Sequence, residues 1–244
     1  VQVPQAISGD IALHTALTSI GRSAFEGCSG LTSVNIPVGV KTIDFYAFEG
    51  CSGLTSVSIP SSVTEIDETA FKGCSGLTSI TVSESNSKYA SFEGILYNKE
   101  FTSIVHVPQA ISGEITLHDG VRSIENSAFE GCSGLTSIAV PDSVTQIGDS
   151  AFSGCSSLAY INIPNAVRSI GASTFKGCSK LTSVKLNSYA VSVFKNVFPY
   201  GQIQNIVLEG NGLTSIGNSF TNCISLTSIT IPNSVTKIGS SAFY

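Results

Sequence analysis

The sequence predicts a β-rich solenoid of about ten 23-residue coils, with short strands joined by tight turns or single helical turns. Three observations predict it. Aromatic anchors recur at a fixed interval: Phe25, Phe48 and Phe71 are 23 residues apart, as are Phe129, Phe152, Phe175 and Phe198. Phe220 follows after 22 residues and Phe243 after 23 more. The phrase FEGCSGLTS begins at Phe25, Phe48 and Phe129, and FKGCSGLTS begins at Phe71. On a larger scale, VQVPQAISGDIALH at Val1 returns as VHVPQAISGEITLH at Val105, an offset of 104 that marks a duplicated block of coils.

One coil can be read residue by residue. In Leu31-Thr32-Ser33-Val34-Asn35-Ile36, apolar Val34 and Ile36 alternate with polar Ser33 and Asn35, the period of a half-buried strand. Pro37 ends the strand, because it has no N–H to donate and restricts the residue before it. Val40 and Ile43 form a second apolar pair, in a short extended segment. Ala47-Phe48 then sits in a tight turn or a single helical turn, and Gly50 lets the chain reverse. A unit this small cannot bury its own apolar faces, whereas stacking identical units buries them all in one continuous core.

Strand centres read this way fall at Ile11, Val34, Val57, Ile80, Ile115, Ile138, Ile161, Val184, Ile206 and Ile229. Two places break the period. The step from Ile80 to Ile115 is 35 residues, twelve more than one repeat. The excess predicts a β-hairpin insertion at 89–107, with Asn98-Lys99-Glu100 at or near its turn. The coil Asn187–Gly210 lacks the repeated cysteine and carries Phe194, Phe198, Pro199 and Tyr200.

The pattern L-x-x-I-x-I-P-x-x-V-x-x-I-G-x-x-A-F-x-x-C resembles the BspA-type leucine-rich repeat over essentially the whole chain, and Leu54–Gly76 is a nearly ideal copy. The resemblance implies a right-handed leucine-rich repeat horseshoe. The chain then reads as one such solenoid over residues 1–244, a piece of a longer protein, with the insertion inside it. The family is typical of surface proteins of host-associated bacteria and some parasitic protists, implicated in adhesion to host matrix proteins and in coaggregation. The resemblance therefore implies a bacterial extracellular or cell-surface protein that binds host matrix or cell-surface proteins, or a glycan, as a monomer. A spacer holding another domain away from the cell surface is the alternative expectation.

Composition and charge exclude other classes. Charged residues make up 12% of the chain, about half the usual ~25%. The polar surface must then be built from hydroxyls rather than charges. Net charge is −5, and the 12 Lys and Arg are scattered singly, which argues against binding nucleic acid or an anionic membrane. No apolar run reaches the ~18 residues of a membrane span, so no direct insertion by this segment is expected. The absence of any N-x-S/T acceptor favours a bacterial source.

All seven cysteines, Cys28, Cys51, Cys74, Cys132, Cys155, Cys178 and Cys223, occupy one slot of the repeat. A nucleophile is needed once, beside a base, and no His lies near any Cys in sequence. Zinc sites want closely spaced cysteine pairs, and there are none. The slot suits a small buried hydrophobe with a weak donor. Disulfides between stacked coils are the competing reading; parallel side chains and an odd count disfavour them. Asp10, Asp44, Asp67 and Asp119 match no calcium-loop spacing, and Glu65, Asp67 and Glu68 sit in a regular coil with no evident cleft. No enzyme activity, cofactor or metal is expected.

Binding is expected where the repeat deviates. The outward strand positions are mostly small and polar, which suits a solvated sheet; Tyr160 and Lys185 stand out among them. Exposed aromatics bury much area at low entropy cost, so Tyr46, Tyr89, Tyr97, Tyr189 and Tyr200 complete the candidate binding residues. For each tyrosine the competing reading is a packed ring in an irregular coil. Phe92, Phe101, Phe194 and Phe198 are read as core. Ice binding by hydroxyl rows is disfavoured, because Asn35, Ala139, Tyr160 and Lys185 interrupt them.

Overall fold

The computed structural model describes residues 3–210 and 212–244. The chain is a β-solenoid of about ten turns, with mostly parallel strands and one α-helix among the described residues. Its contacts group into two compact units, Val1–Ile111 with Ser127–Cys132, and Ser112–Asn126 with Ser133–Tyr244.

The first unit runs β1 (Ser8–Ala12), β2 (Ser19–Ile20), β3 (Gly30–Asn35), β4 (Thr42–Ile43), β5 (Ser56–Ile59), β6 (Glu65–Ile66), β7 (Ser79–Val82), β8 (Tyr89–Phe92), β9 (Ile95–Asn98) and β10 (Ser103–His106). Strands β1, β3, β5 and β7 form a parallel sheet in which Ile11, Val34, Val57 and Ile80 stand in register. The two-residue strands β2, β4 and β6 form a second parallel sheet, with Ile20, Ile43 and Ile66 aligned. The predicted second apolar pair is therefore a real strand, and each regular coil carries one long and one short strand.

Between the sheets lies the ladder core. Phe25, Phe48 and Phe71 are buried and stack with centroids 5.1 and 5.5 Å apart, nearly parallel at 6°. Backbone bonds step from coil to coil beside them, as in Phe25 N–H to Ala47 O at 2.8 Å and Phe48 N–H to Ala70 O at 2.8 Å. The cysteines fill the next slot. Cys51 Sγ donates to Phe25 O at 3.0 Å and Cys74 Sγ to Phe48 O at 3.1 Å, each crossing to the preceding coil. A thiol is small enough for this corner and satisfies a carbonyl there.

The long step of the repeat is an antiparallel meander. Where the sequence predicts a hairpin, the structure adds a strand: β8 pairs with β9 and β9 with β10. The first reversal is a two-residue turn at Glu93-Gly94, both at positive φ (50° and 76°), the backbone that a tight hairpin requires. The second uses Asn98, whose Oδ1 accepts from the N–H groups of Thr102 and Ser103, both at 2.8 Å. The meander covers the ends of both sheets. Ile80 N–H donates to Gly94 O at 2.8 Å, and Tyr89 Oη accepts from Ile66 N–H at 2.9 Å, at the last short strand of its sheet.

Where the meander rejoins the coil, the Ala-Phe pair of other turns is replaced by His106-Val107. Val107 N–H donates to Ala128 O at 2.8 Å, the bond made elsewhere by the ladder phenylalanine. The ring comes instead from His106, which packs 5.7 Å from Phe71. His106 is 5% exposed, and neither ring nitrogen has a hydrogen-bond partner. Burial pushes its pKa down to about 4, partly offset by Glu130.

The second unit runs β11 (Ser112–Ile115), β12 (Ser123–Ile124), β13 (Gly134–Ile138), β14 (Gln146–Ile147), β15 (Tyr160–Asn162), β16 (Ser169–Ile170), β17 (Ser183–Leu186), α1 (Ser188–Val197), β18 (Asn205–Leu208), β19 (Ser215–Ile216), β20 (Ser228–Thr230) and β21 (Lys237–Ile238). Strands β15, β17, β18 and β20 form a parallel sheet, and β11 pairs with β13 in parallel. The short strands β12, β14 and β16 pair in parallel, as do β19 and β21.

Helix α1 occupies the coil that lacks a cysteine. Asn187 caps it, its Oδ1 accepting from Ala190 N–H at 2.7 Å. The Asn187 Nδ2 donates to Pro164 O and Val167 O, at 2.7 and 2.9 Å, and so ties the helix to the preceding coil. Phe194 and Phe198, read as core from sequence, are both buried. Phe198 stacks on Phe175 at 4.7 Å, and Phe194 meets Phe220 edge-on at 5.1 Å, so two rings span the irregular coil.

Candidate interaction surface

The sheet β15-β17-β18-β20 presents two outward columns. Register aligns Tyr160, Ser183, Asn205 and Ser228 in one, and Asn162, Lys185, Val207 and Thr230 in the other. Alternation puts Ile161, Val184 and Ile206 on the buried face, so these columns must point away from the core. Tyr160 is 41% exposed with only small or polar neighbours in its column. Lys185 Nζ lies 2.8 Å from Glu209 Oε1, and that bond holds the ammonium's pKa above its ordinary value. The result is a phenol, an ion pair and the partly exposed aliphatic Val207 on one face.

The other tyrosines divide. Tyr97 is fully buried in β9, its ring 5.5 Å from that of Phe101, and it offers a partner no surface. Tyr89 is partly buried and its hydroxyl is occupied by Ile66 N–H. Tyr46 is partly buried at φ +57°, a conformation that other coils assign to Ser23, Ser127, Ser150 and Ser173. Tyr200 is 36% exposed in a 3-10 turn, Tyr200–Gln202. Tyr189 lies in the first turn of α1, beside a cleft.

Sequence reasoning missed Val207, Glu209 and Phe45. The shortened 22-residue step places Val207 opposite Lys185, and Glu209 lies two residues further on. Phe45 is 52% exposed and stands where neighbouring coils carry Arg22 and Glu68.

Nothing in the thiol environment favours nucleophilic chemistry. Cys28, Cys51, Cys74, Cys132, Cys155 and Cys178 are buried thiols outside any disulfide, and Cys223 is a partly exposed one. Burial pushes Cys51, Cys132 and Cys178 up to about 12, so none is a thiolate at neutral pH. The threonine rows are also committed: Thr55 and Thr78 hydroxyls donate to the carbonyls of Thr32 and Thr55 in the preceding coils. Among the described residues no group of three or more His, Cys, Asp or Glu side chains could hold a metal ion. Among them, too, no helix is long and apolar enough to cross a membrane.

One long strand per coil and ladders in place of a unique centre define a repeat scaffold of the leucine-rich type. The description "BspA type leucine rich repeat region" matches residues 8–109, 109–219 and 191–244, and the chain belongs to that family. Leucine-rich repeat solenoids are generally non-enzymatic scaffolds for protein interaction. Among solved structures, a leucine-rich cell surface protein from Faecalibacterium prausnitzii is 28% identical with a TM-score of 0.62, the match covering 91% of this chain and 59% of that one. A leucine-rich repeat protein from Eubacterium ventriosum shares the fold at 22% identity and a TM-score of 0.63, over 96% of this chain and 82% of that one. The pneumococcal vaccine antigen PcpA shares it at 16% identity and a TM-score of 0.59, over 96% and 74%. No curated protein matches the chain.

Proposed function

We propose that this is a non-enzymatic bacterial protein, secreted or held at the cell surface, that acts as a monomer and adheres to host or other-cell proteins through the β15-β17-β18-β20 face. The observation that carries the reading is Tyr160, a ring 41% exposed in a column of small polar residues, beside the Lys185–Glu209 pair. A polar sheet with one exposed aromatic and one ion pair suits a protein partner, because rings supply most contact energy at low entropic cost. Buried, protonated thiols support the non-enzymatic part. Likeness to a protein named for the cell surface supports the location.

The test is binding of the intact array to immobilised host matrix proteins and to whole cells. Tyr160→Ala is expected to weaken binding tenfold or more, corresponding to a loss of ~1.4 kcal/mol or more. Unchanged binding in Tyr160→Ala and Lys185→Ala would remove this face from consideration. A spacer role is the second reading, favoured by the hydroxyl rows of β3, β5 and β7, where Ser33, Ser56 and Ser79 align without an anchor residue. Deleting Leu54–Gly76 separates the two, since a spacer tolerates loss of a whole coil and a binder of defined geometry loses affinity.

A further inference from the structure

Three grooves recur at one place in the coil, over the turn that follows the long strand. In the first unit a groove of about 440 Å³ is lined by uncharged residues around Ile59-Pro60-Ser61. In the second unit one of about 310 Å³ lies along Val140-Pro141-Asp142 with Glu114 and Asp119. The third, also in the second unit, is about 580 Å³ and differs in chemistry. It is lined by Asn165, Arg168, Ser188, Tyr189, Gly210 and Gly212 around the buried cap Asn187.

The break in the repeat makes this cleft. The coils at Pro60, Pro141 and Pro232 place a Pro-x-Ser-Val turn here, and the Ser143 hydroxyl closes such a turn onto Val121 O at 2.6 Å. In the next coil Ala166 replaces that serine. Two coils further on, Gly210 and Gly212 take the positions of the proline and serine. A Cβ added at Gly212 would meet only the Ser188 hydroxyl, at 3.7 Å. Glycine alone does not make the gap, since a Cβ at Gly39, in the same slot of an earlier coil, would meet Leu17 O at 2.8 Å; here Tyr189, in the first turn of α1, lines the open side.

The lining has a consistent character. Among the described lining residues Arg168 is the one charged group, and its Nη1 donates to Asn165 O and to Val167 O, the latter at 2.8 Å. The fork's other N–H groups therefore come pre-oriented. Tyr189 supplies an aromatic face, and Asn165 and Ser188 an amide and a hydroxyl. Among the described lining residues there is no carboxylate and no large aliphatic side chain. Donors outnumber acceptors, so the fitting ligand is rich in acceptors and hydroxyls, has a flat C–H face for the ring, and carries one anionic group for Arg168. The volume lies within the roughly 300–1,000 Å³ of small-molecule sites.

We propose that this cleft is a carbohydrate subsite for a hexuronate residue, with Tyr189 stacking on the pyranose face and Arg168 binding the carboxylate. It is separate from the sheet face around Tyr160. The test is a titration of the whole chain with a tetrasaccharide of alternating glucuronate and N-acetylglucosamine, followed by calorimetry. Neutral chitotetraose and tetraglutamate serve as comparisons. Saturable uronate binding is expected, weakened tenfold or more by Tyr189→Ala and by Gly212→Phe, and unaffected by Tyr160→Ala. Arg168→Gln is expected to weaken the uronate at least fivefold while leaving chitotetraose unchanged. No saturable binding, equal binding of tetraglutamate, or indifference to both Tyr189→Ala and Gly212→Phe would overturn the proposal. Unaltered melting curves would establish that the variants fold.

Discussion

His106 is the least comfortable residue of the core. It stands where other turns have alanine, and its ring serves because Val107 has replaced the phenylalanine that follows. An imidazole with two unsatisfied nitrogens tolerates that position only when neutral. In the unfolded chain it protonates near 6.5, in the folded chain only at about 4. Above pH 6.5 neither state binds the proton and its contribution to stability is complete. As pH falls from 6.5 to 4 the unfolded state alone gains it, so stability is lost across that window by ~3 kcal/mol and then levels off. Glu130, paired with Lys72 at 3.2 Å, is the charge that acts on it. Urea unfolding at pH 7 and pH 4 should show this loss in the native chain and not in His106→Leu. The cysteines yield a second residue-level expectation. Under native conditions a thiol reagent should label Cys223 first and leave the six buried thiols protected, while denaturant should expose all seven.

At the scale of elements, the repeat was readable because each of its positions has a single physical job. Alternation at Val34 and Ile36 announced a strand, Pro37 its end, and Phe48 the ladder. The meander was read only in part, for a specific reason. Phe92-Glu93-Gly94 copies the opening of the repeated phrase, yet here the Glu-Gly pair makes a hairpin turn because Ile95 follows where the phrase would place cysteine. Helix α1 was hidden because its apolar residues, Ala190, Val191, Phe194 and Val197, lie inside a stretch flanked by coil-like strands. Tyr97 and Tyr160 show the limit for the site: both are tyrosines on strands, and only the neighbouring strands decide that one ring is buried and the other exposed. Tyr89→Phe tests an element directly. It removes the acceptor for Ile66 N–H at the end of the short-strand sheet and should cost ~1–2 kcal/mol in chemical denaturation.

For the whole chain, stacked repeats make stability a sum of local terms between neighbouring coils. Phe48→Ala removes a ring stacked on both sides and should cost ~3–5 kcal/mol. Hydrogen exchange should show lost protection concentrated in the coils of Phe25, Phe48 and Phe71, with little change at Phe152 and Phe175. A uniform loss along the chain would contradict the additive picture. The phrase Val-Pro-Gln has a consequence of another kind. At Val3-Pro4-Gln5 and again at Val107-Pro108-Gln109 it makes the same attachments: valine N–H to the alanine before a ladder phenylalanine, proline carbonyl to a cysteine, and glutamine amide to a glutamate carbonyl. At the second copy it is an adaptor that joins the meander to the first coil of a block, and the first copy repeats the same attachments. Unequal crossover between its two copies would add or delete a whole block with its adaptor intact, so the length of such an array can drift between generations without any new packing having to be invented.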